Sequence, residues 1–125
     1  MIDADVELIA LLHEHRLAEK YAWIPDGTDI LISHGPPYGY GDLALDGGSA
    51  LTHVGSPHLL ERIRQVKPAV VAYGHIHSGN GLYGDVIGGG SLLINASLID
   101  EAYKMVYKPA YIVMNDRRVL EWGTN

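Results

Sequence analysis

The sequence predicts an α/β domain in which a mixed sheet is flanked by helices. Two patterns lead to this fold class. In the first part of the chain, short apolar runs typical of buried strands alternate with segments of helical period, which favours a parallel sheet. The last third adds apolar runs joined by turn residues, which indicates an antiparallel flank. The chain has 125 residues, so residues 1–125 are expected to form a single domain.

Two helices are predicted. The first runs from Asp5 to Tyr21, where apolar residues recur at helical spacing, acids lie early and bases lie late. The second begins at Ser56-Pro57 and stops at Pro68. Its buried stripe is expected to consist of Leu59, Leu60, Ile63 and Val66.

Five strands are predicted from the apolar runs. They cover residues 28–33 (TDILIS), 69–73 (AVVAY), 91–96 (SLLINA), 110–114 (AYIVM) and 119–122. The last three are expected to be connected as hairpins, with a turn at 115–117. Residues 34–42 (HGPPYGYGD) and 78–90 are rich in glycine or proline and are predicted to be loops. The segment 41–46 (GDLALD) is expected to be a loop that packs on the body of the domain.

Composition excludes several classes of protein. The formal net charge is −6 and no basic cluster is present, which disfavours nucleic-acid binding. Cysteine is absent, so disulfides, thiolate zinc sites and a cysteine nucleophile are excluded. The first residues carry acids where a signal peptide carries lysines, and no apolar run approaches the ~18 residues of a membrane span. We therefore expect a cytoplasmic protein that does not bind membranes.

Three histidines stand where a metal site is expected. His34 follows the first predicted strand, and His75 and His77 follow the second, in the segment GHIH. In open α/β sheets, sites gather beyond the carboxyl ends of the strands, and neutral imidazole is a common ligand of divalent metals. The alternative is that His75 and His77 are solvent-facing loop residues, and the equivalent position of His34 weakens it.

Other motifs give weaker signals. His13, His15, His53 and His58 are expected to be surface residues. The run GGGS lacks the lysine and the spacing of a phosphate loop, and no Ser-His-Asp set can be named from spacing.

The segments SHGPPYGYGD, YGHIHSGNG and INAS, in this order after apolar strands, resemble the calcineurin-like metallophosphoesterases. The branch most similar is that of the metallophosphoesterase-domain-containing proteins, and the resemblance covers about residues 23–115. It implies an αββα sandwich and hydrolysis of phosphomonoesters or phosphodiesters by water activated at two divalent metals, with Mn, Fe or Zn as candidates. A small phosphate ester, such as a nucleotide, is the implied substrate.

The resemblance also assigns roles to residues. His34 and His75 would bind one metal and His77 the other. Gly35, Pro36 and Pro37 would shape the loop that aims His34, while Gly74 would allow close backbone approach beside His75. Asn95 of INAS is expected to be structural.

The sequence departs from the family in lacking the DxH, GDxxD and GNH motifs, which supply the remaining ligands. We therefore expect the chain to correspond to the C-terminal half of the domain, with a site that is incomplete on its own. Three hypotheses follow. The chain contributes to a phosphoesterase completed by an N-terminal half; it is a non-catalytic binding or assembly module, such as a homo-oligomer; or His34, His75 and His77 form a mononuclear site completed by water or a carboxylate such as Asp42.

Overall fold

The computed structural model describes residues 15–45, 50–83 and 90–124. For Leu82 it describes the backbone only. The described elements are, in chain order, helical residues 15–21 (α1), β1 (Ile30–Ile32), β2 (Leu43–Leu45), β3 (Leu51–His53), α2 (Pro57–Val66), β4 (Val70–Tyr73), a 3-10 turn (His77–Gly79), β5 (Gly81–Tyr83), β6 (Leu92–Asn95), β7 (Ala110–Asn115) and β8 (Arg118–Thr124). No helix within these ranges is long and apolar enough to cross a membrane.

The main sheet has four strands in the order β1-β4-β6-β5. The first three are parallel, with Ile30 beside Val70 and Val70 beside Leu92, while β5 runs antiparallel to β6. All four residues of β6 are buried, as are three of the four in β4. Continuous apolar runs are typical of parallel strands covered on both faces, which explains why these two strands could be predicted.

A separate layer covers each face of this sheet. On one face, Leu59 and Ile63 of α2 pack with Val71, Tyr73 and Leu93. On the other face, Val70, Leu92 and Ile94 pack against the β7–β8 hairpin. The result is a helix layer, a mixed sheet and a second sheet, which confirms the predicted α/β class and corresponds to a partial sandwich.

Helix α2 lies within the predicted limits. The Ser56 hydroxyl accepts a hydrogen bond from the Leu59 amide (3.2 Å), and Pro57 occupies the start of the helix, where its missing N–H costs nothing. Lys67 ends the helix in the left-handed conformation at φ 54°. The predicted stripe of Leu59, Leu60, Ile63 and Val66 is buried. Of the first predicted helix, residues 15–21 are helical and the rest lies outside the described residues.

Three predictions about strands were wrong. Residues 43–45 of GDLALD form strand β2, which pairs antiparallel with β3, and β5 lies within a segment predicted to be a loop. The third predicted strand, β6, does not begin a run of hairpins: it is a parallel strand between β4 and β5, while β7 and β8 form a separate sheet. The pairing and direction of such short strands depend on tertiary context more than on the composition of three or four residues, so local composition did not reveal them.

Candidate metal centre

The parallel pairing of β1 and β4 brings His34 and His75 together. Each histidine lies two residues beyond the end of its strand, and the Gly74 amide donates a hydrogen bond to the His34 carbonyl (3.1 Å). The two imidazole ring centroids are 4.8 Å apart, with an interplanar angle of 41°. Both side chains belong to exposed residues, so they can reach a shared ligand from solvent.

His75 is held in an unusual backbone conformation. Its φ is +67°, and the Ile76 amide donates to the Gly74 carbonyl across it (2.8 Å). A hydrogen bond over one residue with positive φ is the rare and strained form of the γ-turn. Such a residue costs on the order of 1–3 kcal/mol and is typical of functional sites. The turn re-aims the chain at the point where His75 leaves β4.

His77 lies in the next turn, where two neighbours orient its ring. Its Nδ1 lies 3.2 Å from the carbonyl of Asp100, and the Tyr103 ring packs edge-on at 5.9 Å. A proton on Nδ1 donated to that carbonyl leaves Nε2 as an acceptor, the arrangement common for metal-ligating histidines. A depression of about 360 Å³ is lined by Ala44, His75, Ile76, His77, Glu101 and Tyr103. His75 and His77 therefore open into the same depression.

These residues fit a metal only in part. Within residues 15–45, 50–83 and 90–124, no group of three or more histidines and carboxylates is arranged to hold an ion. His34 and His75 offer two imidazoles, which is half of a tetrahedral coordination shell. The described residues alone do not complete a two-metal centre, which would need further ligands.

Asp42 does not complete the site, contrary to one hypothesis drawn from the sequence. Its side chain is 1% exposed, and its Oδ2 accepts hydrogen bonds from the amides of Gly39 and Gly55, both at 2.9 Å. Its Oδ1 lies 2.7 Å from His53 Nδ1. Burial alone would raise the pKa of Asp42, but the hydrogen bonds from Gly39, His53 and Gly55 outweigh it, so the pKa is lowered. Asp42 is thus an ionised structural carboxylate.

The partnership of His53 was missed in the sequence. Its side chain is 41% exposed, as expected of a surface residue, yet its Nδ1 is bound to the buried carboxylate of Asp42. Eleven residues separate the two, and no spacing rule links them. This contact ties strand β3 to the loop that follows His34.

The loop after His34 is fixed mainly by its prolines. Pro36 and Pro37 are buried, and the Pro36 carbonyl accepts a hydrogen bond from the Ser56 amide (3.1 Å). At Gly35 and Gly74, the other two expected loop-shaping positions, a larger side chain would not collide with its neighbours. A Cβ at Gly35 would meet nothing within 4 Å, and one at Gly74 would lie 3.6 Å from Ser97 Oγ.

At two other positions, Gly79 and Gly55, a side chain larger than that of glycine would collide with neighbouring backbone. A Cβ at Gly79 would collide with the carbonyl of Gly41, and a Cβ at Gly55 would collide with that of Pro37. Both glycines stand where two loops of the site touch through their backbones. Close approach between segments far apart in sequence could not be predicted from composition.

Asn95 joins the loops beneath the site. The residue is fully buried, and its Nδ2 donates to the carbonyls of Gly41 (3.0 Å) and Ile76 (2.8 Å). Its Oδ1 accepts from the amide and the hydroxyl of Ser97, at 3.2 and 2.7 Å. All four hydrogen-bonding positions of the amide are used within the chain, which agrees with the structural role expected of Asn95.

The structure is that of an α/β domain in which two parallel strands carry histidines beyond their carboxyl ends, beside a proline-shaped loop and above a buried asparagine. Sequence comparison shows which proteins the chain resembles. The chain is 39% identical over 97 residues to metallophosphoesterase domain-containing protein 1 of Homo sapiens, and equally to that of Mus musculus. These matches cover 77% of this chain and 28% of the relative.

A more distant relative is the UPF0046 protein T07D4.2 of Caenorhabditis elegans, which is 33% identical over 95 residues, or 75% of this chain and 22% of the relative. No family model matches the chain. The chain is thus a homologue of the metallophosphoesterase domain-containing proteins, as its motifs predicted. It spans less than a third of the length of these relatives.

Proposed function

We propose that the chain contributes to a metal-dependent phosphoesterase whose site is completed by residues outside the described part. The observation that carries this proposal is the close approach of the His34 and His75 imidazoles, whose ring centroids are 4.8 Å apart. The name of the mammalian relatives points to the same class of enzyme. The proposed substrate is a small phosphate ester, and the proposed ions are Mn²⁺, Fe or Zn²⁺.

Each histidine has a defined task in this proposal. His34 and His75 donate ring nitrogens to one divalent ion, while His77 offers Nε2 to a second because its Nδ1 faces the Asp100 carbonyl. Divalent ions, when bound, neutralise phosphoryl charge and lower the pKa of water. Three neutral imidazoles supply no negative charge, so the proposal requires carboxylates from another segment or chain.

The test is hydrolysis of bis(p-nitrophenyl) phosphate in Mn²⁺. The chain is assayed alone and mixed with the part of the human relative that lies outside the matched residues. We expect turnover in the mixture that is lost in His75→Ala and kept in His15→Ala, which changes a histidine of α1 paired with Glu19. Turnover that is the same with and without His75 would refute the proposal.

A second candidate is an assembly module, which the open edge of β1 favours. The Asp29 carbonyl accepts a hydrogen bond from the Val70 amide, and the Ser33 amide donates one to the Ala72 carbonyl, so both residues bond to β4. Successive residues of a strand point their backbone N–H and C=O groups to opposite edges. Those of Ile30 and Ile32 therefore face the edge away from β4, where no described strand pairs. The two side chains are 53% and 79% exposed. An apolar edge with free backbone groups is suited to pairing with another strand.

A second copy of the chain fits this edge in one register. In an antiparallel pair centred on Leu31, Ile30 lies opposite Ile32 of the second copy in a hydrogen-bonded pair, and Asp29 lies opposite Ser33 of that copy, so no like charges meet. The chain contains no cysteine, which makes cross-linking specific. An equimolar mixture of Ile30→Cys and Ile32→Cys should form a disulfide-linked dimer faster than either variant alone. Equal rates, or a wild-type chain that stays monomeric in sedimentation at high concentration, would refute this module.

A further inference from the structure

Next to the histidine depression lies a larger cleft. It has a volume of about 660 Å³ and is lined by Ala44, Leu45, Leu51, Ser78 and Glu101. Ala44 and Glu101 also line the depression that holds His75 and His77. The two spaces are therefore adjacent, and a molecule with one end at the histidines would have to pass Ala44 and Glu101 to reach the cleft.

The walls of the cleft are held to the histidine turn by hydrogen bonds. The amide of Ser78 donates to Glu101 Oε1 (3.2 Å), and its hydroxyl donates to the carbonyl of Leu43 (3.4 Å). Leu45 and Leu51 are register partners on strands β2 and β3, and they are 63% and 61% exposed. Since Ser78 directly follows His77, its hydrogen bond to Leu43 couples the position of strands β2 and β3 to that of the histidine turn.

The charge of the cleft restricts what it can bind. Neither the cleft nor the depression has a lysine or arginine among its described lining residues, and Glu101 is the charged side chain common to both. A second phosphate or carboxylate in the cleft would have neither a described cation nor a histidine beside it, whereas the first phosphate would lie at His75 and His77.

We propose that this cleft binds the organic group of the phosphate ester and that this group is uncharged and apolar, of aromatic or acyl character. The inference rests on the proposed function, because it places the phosphate at the histidines. The cleft volume lies within the range usual for small-molecule sites, so a group larger than a single phenyl ring can enter. When an apolar group binds, Leu45 and Leu51 bury side-chain surface that was in contact with water. This burial favours an apolar group over a charged one.

Binding, measured apart from turnover, tests the proposal. The isotopically labelled chain is titrated with 1-naphthyl phosphate, phenyl phosphate and inorganic phosphate in Zn²⁺, followed by NMR. We expect 1-naphthyl phosphate to bind about tenfold more tightly than phenyl phosphate, equivalent to about 1.4 kcal/mol. The leucine methyl signals of Leu45 and Leu51 should shift with the naphthyl ester and not with inorganic phosphate.

Matched variants locate the effect. Leu51→Ser should reduce the naphthyl preference to about twofold or less, whereas Leu120→Ser, which changes a leucine of similar exposure (59%) on β8, should leave it intact. His75→Ala should weaken all phosphate ligands alike and keep the ratio. Equal affinity for the two aryl esters, or equal effects of Leu51→Ser and Leu120→Ser, would overturn the inference. Naphthyl binding without any hydrolysis in the completed mixture would contradict the proposed function alone.

Discussion

The ring centroids of His34 and His75 lie 4.8 Å apart, although 40 residues of sequence separate the two histidines. The parallel pairing of β1 and β4 produces this contact, because it places the carboxyl ends of both strands at one edge of the sheet. The positive φ of His75 then turns its chain at that edge. Fold and local strain thus act together on one pair of imidazoles.

The first prediction concerns shared metal binding by this pair. His34→Ala and His75→Ala should each weaken Zn²⁺ binding at least about tenfold, because each removes one of two ligands to the same ion. The double variant should be little worse than either single one, since residues that act as a unit are not additive. Isothermal titration calorimetry measures the three affinities.

His15→Ala is the control for these titrations, since His15 lies on α1 and pairs with Glu19 at 3.2 Å. It should bind Zn²⁺ as the wild type does. Fully additive losses in the double variant would show that His34 and His75 bind separate ions and would contradict a shared site.

The second prediction concerns the buried carboxylate of Asp42. Asp42→Asn should lower the free energy of unfolding at pH 7 by about 1–3 kcal/mol, because an amide cannot accept every hydrogen bond that the carboxylate receives from Gly39, Gly55 and His53. Urea unfolding followed by circular dichroism measures the change. Glu61→Gln, which neutralises an exposed carboxylate on α2, should change stability little.

The third prediction gives the pH dependence of the same group. The pKa of Asp42 is lower in the folded chain than its ordinary value of 3.8, so the ionised group stabilises the fold above that value. This contribution is lost as pH falls through the lower, folded pKa. The difference in stability between wild type and Asp42→Asn should therefore shrink as pH falls below 3.8. A difference that stays constant between pH 7 and pH 2.5 would show that the charge of Asp42 is not stabilising.

The sequence predicted those parts of the fold that depend on local pattern. Helix α2 has its cap, its first proline and its apolar stripe in consecutive residues, and β4 and β6 are continuous apolar runs. The meeting of His34 and His75 also follows from a general rule for parallel strands. In each case the information lies within about ten residues or in the order of elements.

The parts that could not be predicted depend on contacts between different segments of the chain, made by backbone or side-chain atoms. Strand β3 is exposed at all three residues and has no apolar alternation, so only its pairing with β2 defines it. The Asp42–His53 contact and the orientation of His77 by the Asp100 carbonyl are likewise set by tertiary packing. A backbone carbonyl carries no sequence signature, because every residue has one.

The fourth prediction separates the glycine that packing requires from one that it does not. Gly79→Ala should destabilise the chain by roughly 1–3 kcal/mol, because the new Cβ would collide with the Gly41 carbonyl and the loops beneath the site would have to separate. Gly35→Ala should be tolerated, since its Cβ would meet nothing within 4 Å. Thermal unfolding of both variants measures the contrast, and equal melting temperatures would contradict it.

The last prediction concerns the coupling of the candidate metal site to Asn95. Asn95→Ala should lower the free energy of unfolding by about 2–4 kcal/mol, because it leaves the carbonyls of Gly41 and Ile76 without their buried donor. Ile76 lies between His75 and His77, so the variant should also weaken Zn²⁺ binding although Asn95 offers no ligand. Asn115→Ala, at an exposed residue beside the β7–β8 turn, is the control for both measurements. Lost stability with unchanged Zn²⁺ affinity, measured where the variant is still folded, would show that Asn95 supports the core and does not position the histidines.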